Sequence, residues 1–221
     1  MKVPMLRTFG SLLAAATLVG SLAACAPLVI GGGAVMGAMG AVDRRTTGTQ
    51  VEDEGIEMRT ASRIREALSE NAHVNVTSYN RQVLLTGEVP SAADSQKAEQ
   101  IALAVENVRS VVNDLGVMPG SSLTQRSKDT FITGKVRASL VDAKDLSANA
   151  FKVVTERNVV YLMGRVTPRE AKRSAEIARG VDGVSKVVRV FEVISEEELS
   201  QMAAKPAPVS QDPAAAGQPA K

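Results

Sequence analysis

The chain has 221 residues, the length of one or two domains, with a single cysteine, a single histidine and no tryptophan. This composition excludes an internal disulfide and leaves too few thiol and imidazole groups for a structural zinc site with about four such ligands. The 26 basic and 24 acidic residues nearly cancel, which argues against a general nucleic-acid-binding protein. We therefore predict no enzyme, no catalytic residues, no metal site and no cofactor. We interpret His73 as an ordinary hydrogen-bonded or solvated side chain.

The first 24 residues have the pattern of a bacterial export signal. Two basic residues precede an uncharged apolar run from 9 to 24, which is shorter than the about 20 residues that a membrane span needs. The run ends in the letters LAAC, at Cys25, which is the pattern of a lipobox. We predict a lipoprotein signal peptide over 1–24 and lipidation of Cys25; an ordinary signal peptide cut near a cysteine is the alternative. Ala26, rather than an aspartate, favours sorting to the outer membrane.

Both flanks of the central region have a linker-like composition. We predict that residues 25–55 comprise the lipidated cysteine and a flexible linker, because 26–42 are rich in Gly and Ala. The glycine triplet at 31–33 is not followed by the Lys-Ser/Thr pair of a phosphate-binding loop. We predict a disordered tail over 196–221, whose last 17 residues are rich in Pro, Ala and Gln.

The central region contains an internal repeat. Three blocks recur in the same order, at offsets of 72 to 77 residues: 63–68 with 135–140, 83–89 with 160–166, and 108–112 with 184–188. Repetition of three ordered blocks indicates two copies of one structural unit. We place the first unit at 56–118 and the second unit at 126–195.

Each unit has the pattern helix, strand, strand, helix, strand. In the second unit, Ile132, Val136 and Leu140 recur every four residues and form the apolar stripe of a helix. A β-branched hairpin follows, and Thr167 with Glu170 forms a capping box that begins the second helix. We therefore predict an α+β fold of two αββαβ units, each with a small three-stranded mixed sheet packed on two helices.

These residues resemble the BON-domain family. The resemblance lies in the strand-end pattern Leu-x-Gly-x-Val at 85–89 and 162–166, the helix after it, and Gly183 before the closing strand. The first unit has Asn107 at the place of Gly183, and asparagine tolerates the left-handed backbone of such a helix end. Two such units behind a lipobox resemble the dual-BON outer-membrane lipoproteins, over about residues 25 to 195. The resemblance implies a periplasm-facing outer-membrane protein that supports envelope integrity.

The two units differ in charge. Residues 56–118 carry 6 basic and 8 acidic side chains, whereas residues 126–195 carry 14 basic and 8 acidic ones. A basic module on a membrane-tethered protein favours anionic lipid headgroups. Export, together with few aromatic residues, argues against nucleic acid as the partner. We therefore predict that the second unit binds an anionic phospholipid membrane of the phosphatidylglycerol type.

The first helix of the second unit carries the predicted contact. Phe131 lies about 100° from the stripe of core residues, and the repeat places Arg59 at its position in the first unit. The resemblance implies phosphatidylglycerol binding through this helix, with Phe131 where the family has tryptophan. The predicted contact residues are Lys128, Phe131, Lys135 and Val136. Two alternatives stay open: Phe131 packs against the first unit or the segment before the helix, or the chain is a periplasmic scaffold that binds envelope proteins through its first unit.

Overall fold

The computed structural model describes residues 43–204. The predicted signal peptide, Cys25, the first part of the predicted linker and the last part of the predicted tail lie outside the described residues. Within them, the chain forms two αββαβ units in tandem, and the predicted α+β fold class is confirmed.

The first unit has a mixed sheet with β2 at its centre. Its elements are α1 (Thr47–Ala67), β1 (His73–Tyr79), β2 (Gln82–Val89), α2 (Ala92–Leu103), β3 (Ser110–Asn113) and β4 (Gly116–Val117). Strand β2 pairs antiparallel with β1 and parallel with both β3 and β4. The predicted third strand is thus interrupted, because the Leu115 amide donates to the Asn113 side-chain oxygen at 3.2 Å instead of joining the ladder.

The second unit repeats this topology with an uninterrupted third strand. Its elements are α3 (Leu123–Asp142), a 3₁₀ turn (Ala148–Ala150), β5 (Lys152–Glu156), β6 (Val159–Val166), α4 (Pro168–Arg179) and β7 (Lys186–Val193). Strand β6 pairs antiparallel with β5 and parallel with β7. The Thr167 and Glu170 capping box begins α4 as predicted, and Pro168 occupies the first turn.

Both flanking segments contain helix that the composition did not predict. Residues 47–55 belong to α1 rather than to a flexible linker, because Thr46 caps the helix and Asp53 is buried against the first sheet. A further helix, α5 (Glu196–Ala204), occupies the start of the predicted disordered tail. The Glu198 amide donates to the Ser195 hydroxyl, which gives one free amide of the first turn a hydrogen-bond acceptor. The acidic residues of this turn interact favourably with the positive end of the helix dipole.

Each sheet buries one face against its own helices. In the first unit, α1 and α2 cover β2 with a core that includes Ile56, Ile64, Val83, Leu85, Ala98 and Ala102. In the second unit, the core includes Ile132, Val136, Leu140, Val160, Leu162 and Ala178. Alternate residues of a strand point to opposite faces, so Leu84, Tyr161 and Met163 point away from these two cores.

A third apolar cluster joins the two units. It consists of side chains from both sheets: Tyr79, Leu84, Tyr161, Met163 and Val190. The Tyr161 hydroxyl donates to Asp114 Oδ2 of the first unit at 2.8 Å, and the Lys152 ammonium donates to Glu57 Oε1 at 2.6 Å. The faces of the two sheets that lack helices therefore pack against each other. We call this contact region the seam.

A buried aspartate holds the hairpin turn of each unit. Both turns place two consecutive residues at positive φ, which is the geometry of a tight I′ turn. Asp53 on α1 accepts hydrogen bonds from the Asn80 and Arg81 amides at 2.8 and 2.7 Å. Asp129 on α3 does the same for the second turn, accepting from the amides of residues 157 and 158 at 2.9 and 2.8 Å.

The buried Asp53 carboxylate makes the stability of the fold depend on pH in the acid range. Burial alone would raise the pKa of Asp53, but hydrogen bonds from Ser78, Arg81 and Arg45 outweigh it and hold the pKa below its ordinary value. A lowered folded-state pKa stabilises the fold above about pH 4, and the stabilisation is lost as the pH falls below that value. We expect Asp53→Asn to lower the free energy of unfolding at pH 7 by about 1–3 kcal/mol and to flatten its decrease in acid.

Urea unfolding at pH 7 and pH 3.5 measures both effects. Glu54→Gln is the matched control, because Glu54 is exposed on the same helix. An acid dependence of Asp53→Asn as steep as that of the unchanged protein would contradict the assignment.

Candidate functional site

Helix α3 presents Phe131 to solvent. The core face of the helix is buried, whereas the Phe131 side chain is 69% exposed. The alternative in which Phe131 packs against the first unit or the segment before the helix is therefore wrong. The Lys135 ammonium lies 5.3 Å from the centroid of the Phe131 ring, within the range of a cation–π contact.

The other predicted contact residues have different environments. Val136 is fully buried in the core of the second unit, so its assignment as a lipid contact is wrong: its side chain lies on the stripe that packs against the sheet. Lys135 is held by the carbonyl and carboxylate oxygens of Asp182, which follows α4. Lys128 is exposed, and it has no ion pair within residues 43–204.

An apolar strip extends along the exposed side of α3. Leu123 and Val141, near the two ends of the helix, are both exposed to about the same degree as Phe131. At 3.6 residues per turn, both lie about 80° from Phe131 on the side opposite Lys135. The small residues Gly134 and Ala138 lie between these azimuths. The strip, defined by Leu123, Phe131 and Val141, is bordered by lysines along one edge.

A shallow cleft adjoins this strip between α3 and α4. Its volume is about 540 Å³, and it is lined by Lys135, Ala138, Ser139, Arg173, Glu176, Ile177, Gly180, Val181 and Asp182. The residues that line the cleft include basic, acidic and apolar side chains.

Part of the basic excess of the second unit is neutralised within the protein. Lys152 pairs with Glu57 across the seam, and Arg165 pairs with Glu192 and Glu198. Arg169 and Arg173 are exposed but pair with Asp145. The other exposed basic side chains of the second unit are Lys128, Arg137, Lys144, Lys172, Arg179, Lys186 and Arg189. The positive charge that remains free to attract an anionic partner is thus smaller than the count from the sequence. Helices α3 and α4 carry several of the exposed basic side chains.

The segment before α1 is attached to the second unit. Arg44 forms a bidentate ion pair with Glu170, with both N–O distances 2.7 Å, and both side chains are buried. Burial alone would raise the pKa of Glu170, but the Arg44 contact and the Thr167 amide lower it below its ordinary value.

A second cluster of functional groups lies at the seam. His73 begins β1, Glu88 is near the end of β2 and Glu156 ends β5 of the other unit; one ligand atom from each lies within 4.8 Å of the others. His73 Nδ1 is 3.0 Å from Glu88 Oε2. Sequence reasoning missed this group, because its members are up to 83 positions apart and share no motif.

Burial also affects the protonation of this cluster. It raises the pKa of Glu156 above its ordinary value, while the hydrogen bond from Asn75 opposes the shift and the nearby Glu88 carboxylate adds to it. Arg157 Nε is 3.7 Å from Glu88 Oε1. Glu88 is thus the carboxylate of this cluster that lies beside a guanidinium.

No helix within the described residues is both long and apolar enough to cross a membrane.

Comparison with known proteins identifies the two units. The BON domain family model matches residues 53–119 and 128–195. The chain is 38% identical over 175 residues to "Outer membrane lipoprotein DolP" of Haemophilus influenzae, covering 78% of this chain and 90% of that protein. It is 36% identical over 155 residues to "21 kDa hemolysin" of Actinobacillus pleuropneumoniae, covering 69% and 80% of the two chains.

Among solved structures, CdsD, a structural protein of the type III secretion system of Chlamydia trachomatis, aligns with 72% of this chain and 99% of its own at 12% identity and a TM-score of 0.28. That score is too low to support a conclusion. The family match over both units and the identity to DolP over most of each chain are sufficient. The chain belongs to the BON-domain family and is a dual-BON outer-membrane lipoprotein of the DolP type.

Proposed function

We propose that this lipoprotein is anchored through Cys25 and binds anionic phospholipid with helix α3 of its second unit, and that this contact supports envelope integrity at the periplasmic face of the outer membrane. The observation that carries the proposal is the exposed Phe131 beside Lys128 and Lys135. Interfacial helices insert aromatic and aliphatic side chains at the headgroup level and place lysines around them.

The apolar strip provides the insertion energy. Transfer of one phenylalanine side chain out of water contributes roughly 1.5 to 3 kcal/mol. Leu123 and Val141 extend the same exposed side of the helix, so a tilt of the helix would add their transfer free energy. Phe131 replaces a charged residue of the first unit, Arg59, which pairs with Glu52 at 2.8 Å. The aromatic residue is therefore not a requirement of the fold.

The charges provide selectivity for anionic lipid. Each lysine near an anionic surface contributes about 1 kcal/mol, and salt weakens the attraction. Within residues 43–204, Lys128 has no ion pair to break, whereas Lys135 would have to leave Asp182. Lys128 therefore has the larger expected share of the attraction.

A protein-interaction scaffold is the second candidate. The first unit exposes Val51, Met58 and Leu103, and exposed apolar side chains often mark a protein contact. Glu52 follows Val51 and Glu57 precedes Met58, and such acidic neighbours suit a protein contact better than an anionic membrane.

Vesicle sedimentation distinguishes the two functions. The chain carrying Cys25→Ser, which has no site for the anchor, is mixed with vesicles of phosphatidylethanolamine with or without phosphatidylglycerol. We expect salt-sensitive sedimentation only with phosphatidylglycerol. Equal sedimentation with both compositions, or none with either, would favour the scaffold.

The anchor has its own test. We expect Cys25→Ser to release the protein from the outer membrane in cells, because several acyl chains are lost at about 0.8 kcal/mol per buried methylene. Membrane fractionation and metabolic labelling with palmitate measure the outcome. Continued labelling of the variant would show that Cys25 is not the attachment site.

A further inference from the structure

We propose that His73, Glu88 and Glu156 form a binding site for one divalent transition-metal ion of the Zn²⁺ type at the seam. The three side chains come from both units, so a bound ion would link the two sheets. This site is independent of the phospholipid contact on α3.

The residue types match the ligand preferences of such an ion. Imidazole nitrogen and carboxylate oxygen bind Zn²⁺ at about 2.0–2.2 Å, and three protein ligands with one open position for water are common. The three ligand atoms lie within 4.8 Å of one another. Ligand atoms around one tetrahedral ion are about 3.4 Å apart, so side-chain rotations that close the largest separation by about 1.4 Å would place all three around one ion.

A buried, unsatisfied oxygen is the second observation. Glu88 is fully buried, and its Oε1 atom accepts no hydrogen bond within the described residues. The Arg157 Nε atom lies 3.7 Å from this oxygen, beyond hydrogen-bond distance. A buried carboxylate oxygen without a donor is destabilising unless a cation compensates it. A metal ion at this position would satisfy Oε1 and balance the second carboxylate.

Hydrogen-bond donors around Glu88 and Glu156 hold the two carboxylates in place, as the donors around metal ligands do in known metal sites. The Asn75 side-chain amide donates to Glu156 Oε2 at 2.7 Å, and the Ser121 backbone amide donates to Glu88 Oε2 at 3.1 Å. Such partners fix ligand orientation in metal sites. In both carboxylates the donor binds Oε2, which leaves Oε1 of Glu88 for the ion.

An access path is present beside the histidine. The His73 side chain is 22% exposed. A groove of about 330 Å³ is lined by Asn71, Pro90, Met118, Pro119 and Gly120. A methyl group built on Gly120 would lie 4.0 Å from His73 Cβ, which places the groove next to the imidazole. An ion could therefore reach the cluster without separation of the two sheets.

Calorimetric titration with Zn²⁺ tests the site. The full chain carrying Cys25→Ala is used without a histidine tag, so that the single thiol cannot compete for the ion. We expect one saturable Zn²⁺ per chain and a melting temperature that rises with Zn²⁺ concentration. Glu156→Gln should weaken binding at least tenfold. Glu57→Gln is the matched control, because Glu57 also lies at the seam but pairs with Lys152.

Co²⁺ absorption spectroscopy provides a second test of the site. Bound Co²⁺ should give a visible absorption band, and His73→Gln should abolish it. Because His73 lies at the rim of the site, the fold should tolerate this substitution even if Glu156→Gln is unstable. The absence of saturable binding of both ions would overturn the proposal. Equal affinity in the unchanged protein, Glu156→Gln and His73→Gln would also overturn it, since the ion would then be bound elsewhere.

Discussion

Phe131→Glu is expected to reduce binding to phosphatidylglycerol vesicles by about 10- to 100-fold and to leave the fold intact. The loss of roughly 1.5 to 3 kcal/mol of apolar transfer energy corresponds to that range, and the new carboxylate is repelled by anionic headgroups. The second unit should tolerate the charge because the side chain is mostly in water already. Sedimentation of the chain without its anchor measures binding, and circular dichroism with thermal unfolding measures the fold.

Two substitutions serve as controls for this result. Met58→Glu changes a side chain that is also 69% exposed, on the first helix of the other unit, and it should leave vesicle binding unchanged. Lys128→Ala should weaken binding about fivefold, in line with about 1 kcal/mol for one lysine. Unfolding by Phe131→Glu would make Phe131 a structural residue. A folded variant with unchanged affinity would place the contact elsewhere on the second unit.

Tyr161→Ala is expected to lower the free energy of unfolding by about 3 to 5 kcal/mol, the range for removing a large aromatic side chain from a core. Tyr161 lies at the centre of the seam, almost completely buried, and its hydroxyl donates to Asp114 of the other sheet. The substitution removes apolar contact and leaves the Asp114 carboxylate without that donor. Urea unfolding, followed by circular dichroism, measures the effect.

Tyr161→Phe separates the two contributions. It keeps the ring and removes only the hydroxyl, so we expect a loss of about 1 to 3 kcal/mol. Leu103→Ala, at an exposed position of α2, should change the free energy of unfolding by less than about 0.5 kcal/mol. A loss below about 1 kcal/mol for Tyr161→Ala would mean that the two sheets do not depend on the seam for stability.

The local features of each unit could be predicted from the sequence. The spacing of Ile132, Val136 and Leu140 and the capping box at Thr167 depend on residues three or four positions apart, where helix geometry determines which side chains share a face. The repeat supplied the unit boundaries and the fold class. It also indicated that Phe131 is dispensable for packing, since Arg59 occupies its position in the other unit, and the exposure of Phe131 agrees with this.

The helices that flank the repeat could not be predicted from composition. Residues 47–55 are polar, and they are helical because Asp53 binds the hairpin turn more than 25 positions later. The assignment of Val136 to the membrane contact failed for a different reason. It conflicted with the core stripe of Ile132, Val136 and Leu140 that the sequence spacing itself predicts, and the burial of Val136 agrees with the stripe.

What the sequence determined by itself was a lipobox, a repeated α+β unit and an excess of positive charge on the second copy. Tertiary structure alone decided how that charge is used, because Lys152 and Arg165 pair with acids that the linear sequence does not place near them. It also decided that the two sheets pack face to face. Contacts between the two sheets join residues up to 112 positions apart. They depend on the relative placement of two folded units, which no local period encodes, and the cluster of His73, Glu88 and Glu156 exists only through that placement.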